Sequence, residues 1–190
     1  MGELVLASAS PRRAQILRAL GVRFRVVVSG ADETIAPGEE AGAAAERLAR
    51  LKAAAVARSE PPPILGADTV VACEGRILGK PDSPEGARQM LRLLSGRTHE
   101  VVTGLCLVAP QGTRSGIERT AVTFGPMSPE EIDWYVNSGE PMDKAGGYHV
   151  DGKGALFVSS VAGSPSNVAG LPVRLFLRLA REAGLDLGLP

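Results

Sequence analysis

The stretch "ELVLASASPRRAQILRALG", residues 3–21, sets a strand, a junction and a helix one after another. Its apolar opening reads as a short strand. Ile16, Leu17 and Leu20 then recur on one helical face, and Gly21 supplies a stop. Between the two lie Ser8, Ser10, Pro11, Arg12 and Arg13. A helix that starts directly after a strand presents unpaired N–H groups and the positive end of its dipole, and both favour an anion. The serines add hydroxyl groups, and the arginines add planar forks that suit phosphate. Alone, the junction favours somewhat a plain helix start, with Ser10 as N-cap, Pro11 in the first position and the arginines in solvent. The rest of the chain decides between the two.

Outward from this unit, strand and helix patterns alternate. "RFRVVV" (23–28) reads as a second strand leading into the polar loop 29–40. "EEAGAAAERLARLKAAAVARSE" (39–60) is the strongest helix pattern and is followed by three prolines. "PILGADTVVAC" (63–73) reads as a buried strand, "EGR" as a turn into "ILGKP", and "SPEGARQMLRLLSGR" (83–97) as a helix opened by Ser-Pro. Residues 99–128 hold two apolar stretches joined by a glycine-containing turn, which predicts a long antiparallel hairpin. "SPEEIDWYVNSGE" (128–140) predicts a helix with Ser128 and Glu131 as a capping box. A strand from residue 154, a Gly/Ser/Pro/Asn loop and a closing helix over 173–184 complete the pattern. The expectation is an α/β fold with a mixed sheet, in one domain over residues 1–190, with no internal repeat and no dividing linker.

Composition restricts the partners. With 190 residues, 44% of them hydrophobic, the chain can bury a full core. Its formal net charge is zero, so any anion recognition is local rather than a general grip on nucleic acid or an anionic membrane. The N-terminus lacks a charged and apolar leader pattern, and no apolar run is long enough for a bilayer; the expected location is the cytoplasm. Cys73 and Cys106 stand apart within apolar runs and read as buried thiols. His99 and His149 lack ligand-spaced companions and read as structural or supporting residues.

Two further segments favour the phosphate reading of the junction. In "GADTVV" (66–71) a buried strand delivers Asp68, and in "LGKP" (78–81) the following hairpin delivers Lys80. The loop segment "ADET" (31–34) adds Asp32 and Glu33. Carboxylates from separate strand ends suit a hard divalent cation, which takes one or two of them together with phosphate oxygens. Cations for phosphate and acids for metal are the two halves of a triphosphate site.

These residues carry a resemblance. "LASASPRR", "GADTVV", "LGKP", "LSGRTHEVVTG", "SGEPMDKAGGY" and "GSPSNVAGLP", in that order and over nearly the whole chain, resemble the Maf family of nucleoside triphosphate pyrophosphatases. "ADTVV" and "SNVAGLP" resemble in particular the branch acting on dTTP and UTP. The resemblance implies an inosine-triphosphatase-like fold, two lobes around a long mixed sheet with a central cleft. It implies attack of water on the α-phosphorus of a triphosphate, releasing a nucleoside monophosphate and pyrophosphate. By the same resemblance Ser8, Arg12, Arg13, Lys52 and Lys80 bind phosphate. Glu33 and Asp68 are catalytic acids that hold Mg²⁺ or Mn²⁺, with Asp68 as general base; Thr69 faces the base, and Asp151 either faces it too or, the reading favoured slightly, only precedes a glycine in a surface turn. Without the match, Lys52 reads as an ordinary solvated helix lysine. Asp143 and Lys144 fit a structural ion pair and a substrate contact equally. One segment departs from the pattern. Where the dTTP/UTP branch reads approximately "AYGIQG", this chain has "GYHVDG" (147–152), so Asp151 stands in the place of a base-reading glutamine.

The family association also implies a nucleoside triphosphate partner, a homodimer, and an alternative role as a nucleotide-binding regulator of septum formation. A nucleic-acid-binding module is a third class. The neutral charge and an aromatic content of 4% disfavour it, since strand binding needs a basic track and stacking platforms.

Overall fold

The computed structural model describes residues 3–189. Seven strands form one mixed sheet. They are β1 (Leu4–Ala7), β2 (Phe24–Val26), β3 (Ile64–Cys73), β4 (Arg76–Leu78), β5 (Thr98–Ala109), β6 (Gly112–Phe124) and β7 (Val158–Ala162). Among the described residues six α-helices accompany them: α1 (Pro11–Ala19), α2 (Ala41–Val56), α3 (Pro84–Leu94), α4 (Pro129–Asn137), the single turn α5 (Pro165–Val168) and α6 (Val173–Glu182). The strand order is β2-β1-β3-β5-β6-β7, with β4 on β3; β1 is parallel to β2 and β3, and every other pairing is antiparallel.

The register of β3 creates the cleft. One edge of β3 pairs with β5 from Ile64 to Ala72. The opposite edge pairs first with β1, through Ile64, Leu65 and Gly66, and then with β4, through Val71, Ala72 and Cys73. In the fork between β1 and β4 lie Asp68 and Thr69, free on that edge of the strand. Ligands of open α/β sheets favour such points, where neighbouring strands diverge.

Two hydrophobic cores flank the fork. Leu4, Leu6, Leu17, Leu65, Leu105 and Phe176 belong to the first, and Val71, Leu91, Val101, Phe124, Tyr135 and Phe157 to the second. β3 and β5 run through both, so one continuous pair of strands carries the two lobes. The expected mixed α/β architecture is present.

Three local expectations shift. The strand expected from residue 154 starts at Val158, because Lys153–Phe157 forms a 3-10 turn whose Gly154 N–H is given to Glu140 Oε1 at 3.0 Å. The loop 163–172 contains α5, capped by Ser164, which accepts from Asn167 N–H at 3.3 Å. Ser10 occupies the N-cap position of α1 without a side-chain cap bond. The Ser128–Glu131 capping box forms as expected. Cys73 and Cys106 are buried and free.

Candidate active site

Helix α2 brings the first pair of charges together. Ala44, Ala45, Ala49 and Ala53 on its inner face are fully buried against β3 and β5. The contact is close because the strands offer glycine: a Cβ on Gly66 would lie 2.2 Å from the Ala49 carbonyl oxygen, and one on Gly104 2.3 Å from that of Ala45. Seated this tightly, α2 turns Lys52 into the fork. The lysine is 6% exposed, so its expected importance has a structural basis that helix pattern alone does not supply. Its Nζ lies 2.6 Å from Asp68 Oδ1 and 2.9 Å from Glu33 Oε1. Asp68 is buried, whereas Glu33 is an exposed residue of the loop before α2. Asp32 beside it faces its own backbone, accepting from the N–H and hydroxyl of Thr34.

Arg13 forms the second anchor. Its Nε donates to the Gly170 carbonyl at 2.8 Å, one terminal nitrogen to Ser8 Oγ at 2.8 Å and the other to Thr69 Oγ1 at 3.0 Å. Burial pushes the guanidinium below its ordinary pKa, and the charges of Asp68 and Glu33 oppose that shift. The polar chain continues inward. Thr103 gives its single hydroxyl proton to the Asn167 carbonyl at 3.1 Å, so it accepts from Thr69 at 2.9 Å. Thr69 has therefore spent its proton and offers only an acceptor to the cleft. The Asn167 amide donates to the Val101 carbonyl and to Thr120 Oγ1, both at 2.9 Å. Sequence reasoning missed Thr103, Thr120 and Asn167 as members of this polar chain; Thr103 carried a signal, a polar residue within the otherwise apolar run of β5, whereas Thr120 and Asn167 stand among other polar residues.

Arg12, one residue earlier, faces the rim. Its NH1 lies 2.5 Å from His149 Nε2, and its NH2 forms an ion pair with Asp151. Arginine can only donate, so Nε2 is the acceptor of a neutral imidazole. Burial first, then the cations of Arg12 and Lys144, lower the His149 pKa. Asp151, for which the sequence offers a base contact or a plain surface turn, lies exposed in a turn and is paired with Arg12. Lys80 is exposed and has no hydrogen bond or ion pair among the described residues. Asp143 and Lys144 bond to each other at the cleft.

Together these side chains line a cleft of about 510 Å³ between the two cores. Ser8, Arg12, Arg13, Glu33, Lys52, Asp68, Thr69 and Lys80 all border it, whereas Asp151 stays outside. Val71, Ile77, Val101, Tyr148 and Val168 give it an apolar wall. Behind that wall, His99 is buried with its Nε2 2.9 Å from the Tyr148 hydroxyl, and it packs edge-on against Phe124 and Tyr148. Burial lowers its pKa to about 4. It supports the second core, as its isolation in sequence suggests.

A family model described as Maf-like protein matches residues 3–183. The chain belongs to the Maf family. It is 50% identical over 189 residues to a dTTP/UTP pyrophosphatase of an Anaeromyxobacter species, covering 97% of this chain and 91% of that one. It is 48% identical over 190 residues to a dTTP/UTP pyrophosphatase of Moorella thermoacetica, covering 98% of both. Among solved structures, the Staphylococcus aureus Ham1 protein shares the fold, with a TM-score of 0.52 at 14% identity over 95% of this chain and 97% of that one. Among the described residues no helix is long and apolar enough to cross a membrane.

Proposed function

We propose that this Maf-family protein hydrolyses nucleoside triphosphates, dTTP and UTP among them, to the monophosphate and pyrophosphate. The observation that carries this reading is the meeting of a buried Lys52–Asp68 pair with Ser8, Arg12, Arg13 and Lys80 in one cleft beside an apolar wall. The cleft has the size of an ordinary small-molecule site, mostly apolar with a few convergent polar groups.

In this reading Asp68 accepts the proton of the attacking water. The new bond forms between the water oxygen and the α-phosphorus, the bond to the bridging oxygen breaks, and pyrophosphate leaves. Arg12, Lys52 and Lys80 take up charge on the phosphates, an electrostatic contribution preset by the fold. Arg13 holds Ser8 and Thr69 in place and keeps further N–H groups for a phosphate oxygen. The base lies against Val71, Val101 and Tyr148, with Thr69 as an acceptor.

The acids fit a divalent cation. Glu33 and Asp68 come from separate segments and both pair with Lys52 Nζ within 2.9 Å, so the two carboxylates stand side by side, and a cation would lie next to that ammonium. Two carboxylates completed by phosphate oxygens suit Mg²⁺ or Mn²⁺. When bound, such an ion supplies charge neutralisation at the phosphates. The same two acids disfavour a nucleotide-binding regulator without turnover, since acids beside a polyanion weaken binding unless a cation accompanies it.

The test is a nucleotide panel with magnesium in which monophosphate and pyrophosphate are both measured. The expected result is equal amounts of the two from dTTP and UTP. Orthophosphate with a diphosphate, or binding without turnover, would replace this reading.

A further inference from the structure

From the pairing of Arg12 with His149 and Asp151 we infer a latch across the cleft: Asp151 holds Arg12 away from the polyphosphate, and binding of substrate exchanges the carboxylate for phosphate on the same guanidinium. The inference rests on the proposed triphosphate site and names a residue that tunes its affinity.

The two sides of the latch belong to different lobes. Arg12 lies in the first turn of α1, whose Ala14 and Leu17 are in the first core. His149 and Asp151 lie in a loop fastened to the second. The Glu140 carboxylate accepts from the Tyr135 hydroxyl at 2.9 Å, Lys153 N–H at 3.1 Å and Gly154 N–H at 3.0 Å, and the Tyr135 oxygen accepts from His149 N–H at 2.9 Å. These bonds anchor the loop, and its glycines stand close to the anchoring groups. A Cβ on Gly152 would come within 2.6 Å of Glu140, and one on Gly154 within 2.7 Å of the Tyr135 hydroxyl. The long Arg12 side chain is the part of the latch that can swing without breaking these bonds.

That side chain has both terminal nitrogens on protein partners while it borders the cleft. The Asp151 side chain is 55% exposed and that of Arg12 24%, so water reaches the pair from the carboxylate side, and ion pairs open to water are weak and exchangeable. Phosphate offers arginine two acceptor oxygens and more negative charge than one carboxylate. It therefore outcompetes Asp151, which remains beside the anion as an unfavourable charge.

Inorganic tripolyphosphate, which carries no base, separates this role from base recognition. It is titrated calorimetrically, with magnesium throughout, into the wild type, Asp151→Asn, Arg12→Ala and the double variant. The expected result is a two- to fivefold (about the range of an exposed ion pair) tighter Kd for Asp151→Asn, and no tightening from the same change in the Arg12→Ala background. Equal tightening in both backgrounds would mean that the carboxylate acts through space, and overturns the latch. So do an unchanged Kd, a change confined to nucleotides, or no tripolyphosphate binding in any of the four proteins. If the cycle behaves as expected and no nucleoside triphosphate is turned over, the latch stands and the pyrophosphatase reading falls. If nucleoside triphosphates are turned over and Asp151→Asn leaves the Kd unchanged, the pyrophosphatase reading stands and the latch falls.

Discussion

Arg12 and Arg13 are neighbours on one helical turn with opposite surroundings. Arg13 is buried and donates to three acceptors from three segments, Ser8, Thr69 and Gly170. Arg12 reaches the rim and pairs with an exposed loop carboxylate. The same contrast divides the other site residues. Lys52 and Asp68 form the floor, held by an Ala–Gly seam, while Glu33 and Lys80 stand on exposed loops. Burial fixes geometry and makes every unpaired group costly, which suits groups that must meet reacting atoms in one arrangement. Exposure leaves a charge weakly held and able to change partner, which suits groups that must admit and release a polyanion.

The largest effect expected is on the floor. Asp68→Asn should lower kcat by about 10²–10⁴-fold, the usual worth of a general base, with calorimetric nucleotide binding retained. Near-wild-type turnover would remove Asp68 from its role. The two arginines should then separate. Arg13→Lys cannot reach three divergent acceptors and leaves buried groups unpaired, so it should cost about 1–3 kcal/mol in denaturant unfolding as well as most of the activity. Arg12→Lys keeps a rim cation and should mainly raise KM, by less than about tenfold or 1.4 kcal/mol. Matching losses in the two variants would erase the contrast between floor and rim.

Glycines offer a smaller version of the same test. Gly66→Ala forces a methyl group against the α2 backbone beneath Lys52 and should destabilise by about 1–3 kcal/mol, with a fall in kcat. Gly79→Ala, beside Lys80, has open space around the added carbon and should unfold like the wild type.

The smallest effect concerns pH. Burial holds the His99 pKa at about 4, below its unfolded value, so the unfolded chain binds more protons between the two. Its contribution to stability is present above the unfolded pKa and is lost as pH falls towards about 4. Denaturant unfolding at pH 7 and pH 5 should differ by an added 1–2 kcal/mol (order of magnitude), which His99→Gln should abolish. An unchanged difference in the variant would assign the acid sensitivity elsewhere.

Much of the fold follows from local pattern. The strand, Ser-Pro junction and helix over residues 3–21 stand as read, as do the long hairpin β5–β6 and the Ser128–Glu131 box. Glu140 was illegible because its role depends on backbone N–H groups more than ten residues away. That contact bends residues 153–157 into a 3-10 turn where hydrophobicity alone suggests a strand. Asp68 and Glu33 carry a signal as residue types, Lys52 only through the family resemblance, and the burial of Lys52 beside Asp68 depends on tertiary packing of alanine on glycine. Asp151 shows the limit most plainly. Its place in the motif points to the base, whereas its partner is an arginine 139 positions earlier, on the other lobe.

The measurement that bears most directly on the function is the position of oxygen from labelled water. With UTP or dTTP, magnesium and water enriched in heavy oxygen, one labelled oxygen is expected in the nucleoside monophosphate and none in the pyrophosphate, the two products in equal amount. Label in pyrophosphate would place attack on the β-phosphorus, and label in orthophosphate would place it on the terminal one. Either result would contradict the assignment of Asp68 to water at the α-phosphorus.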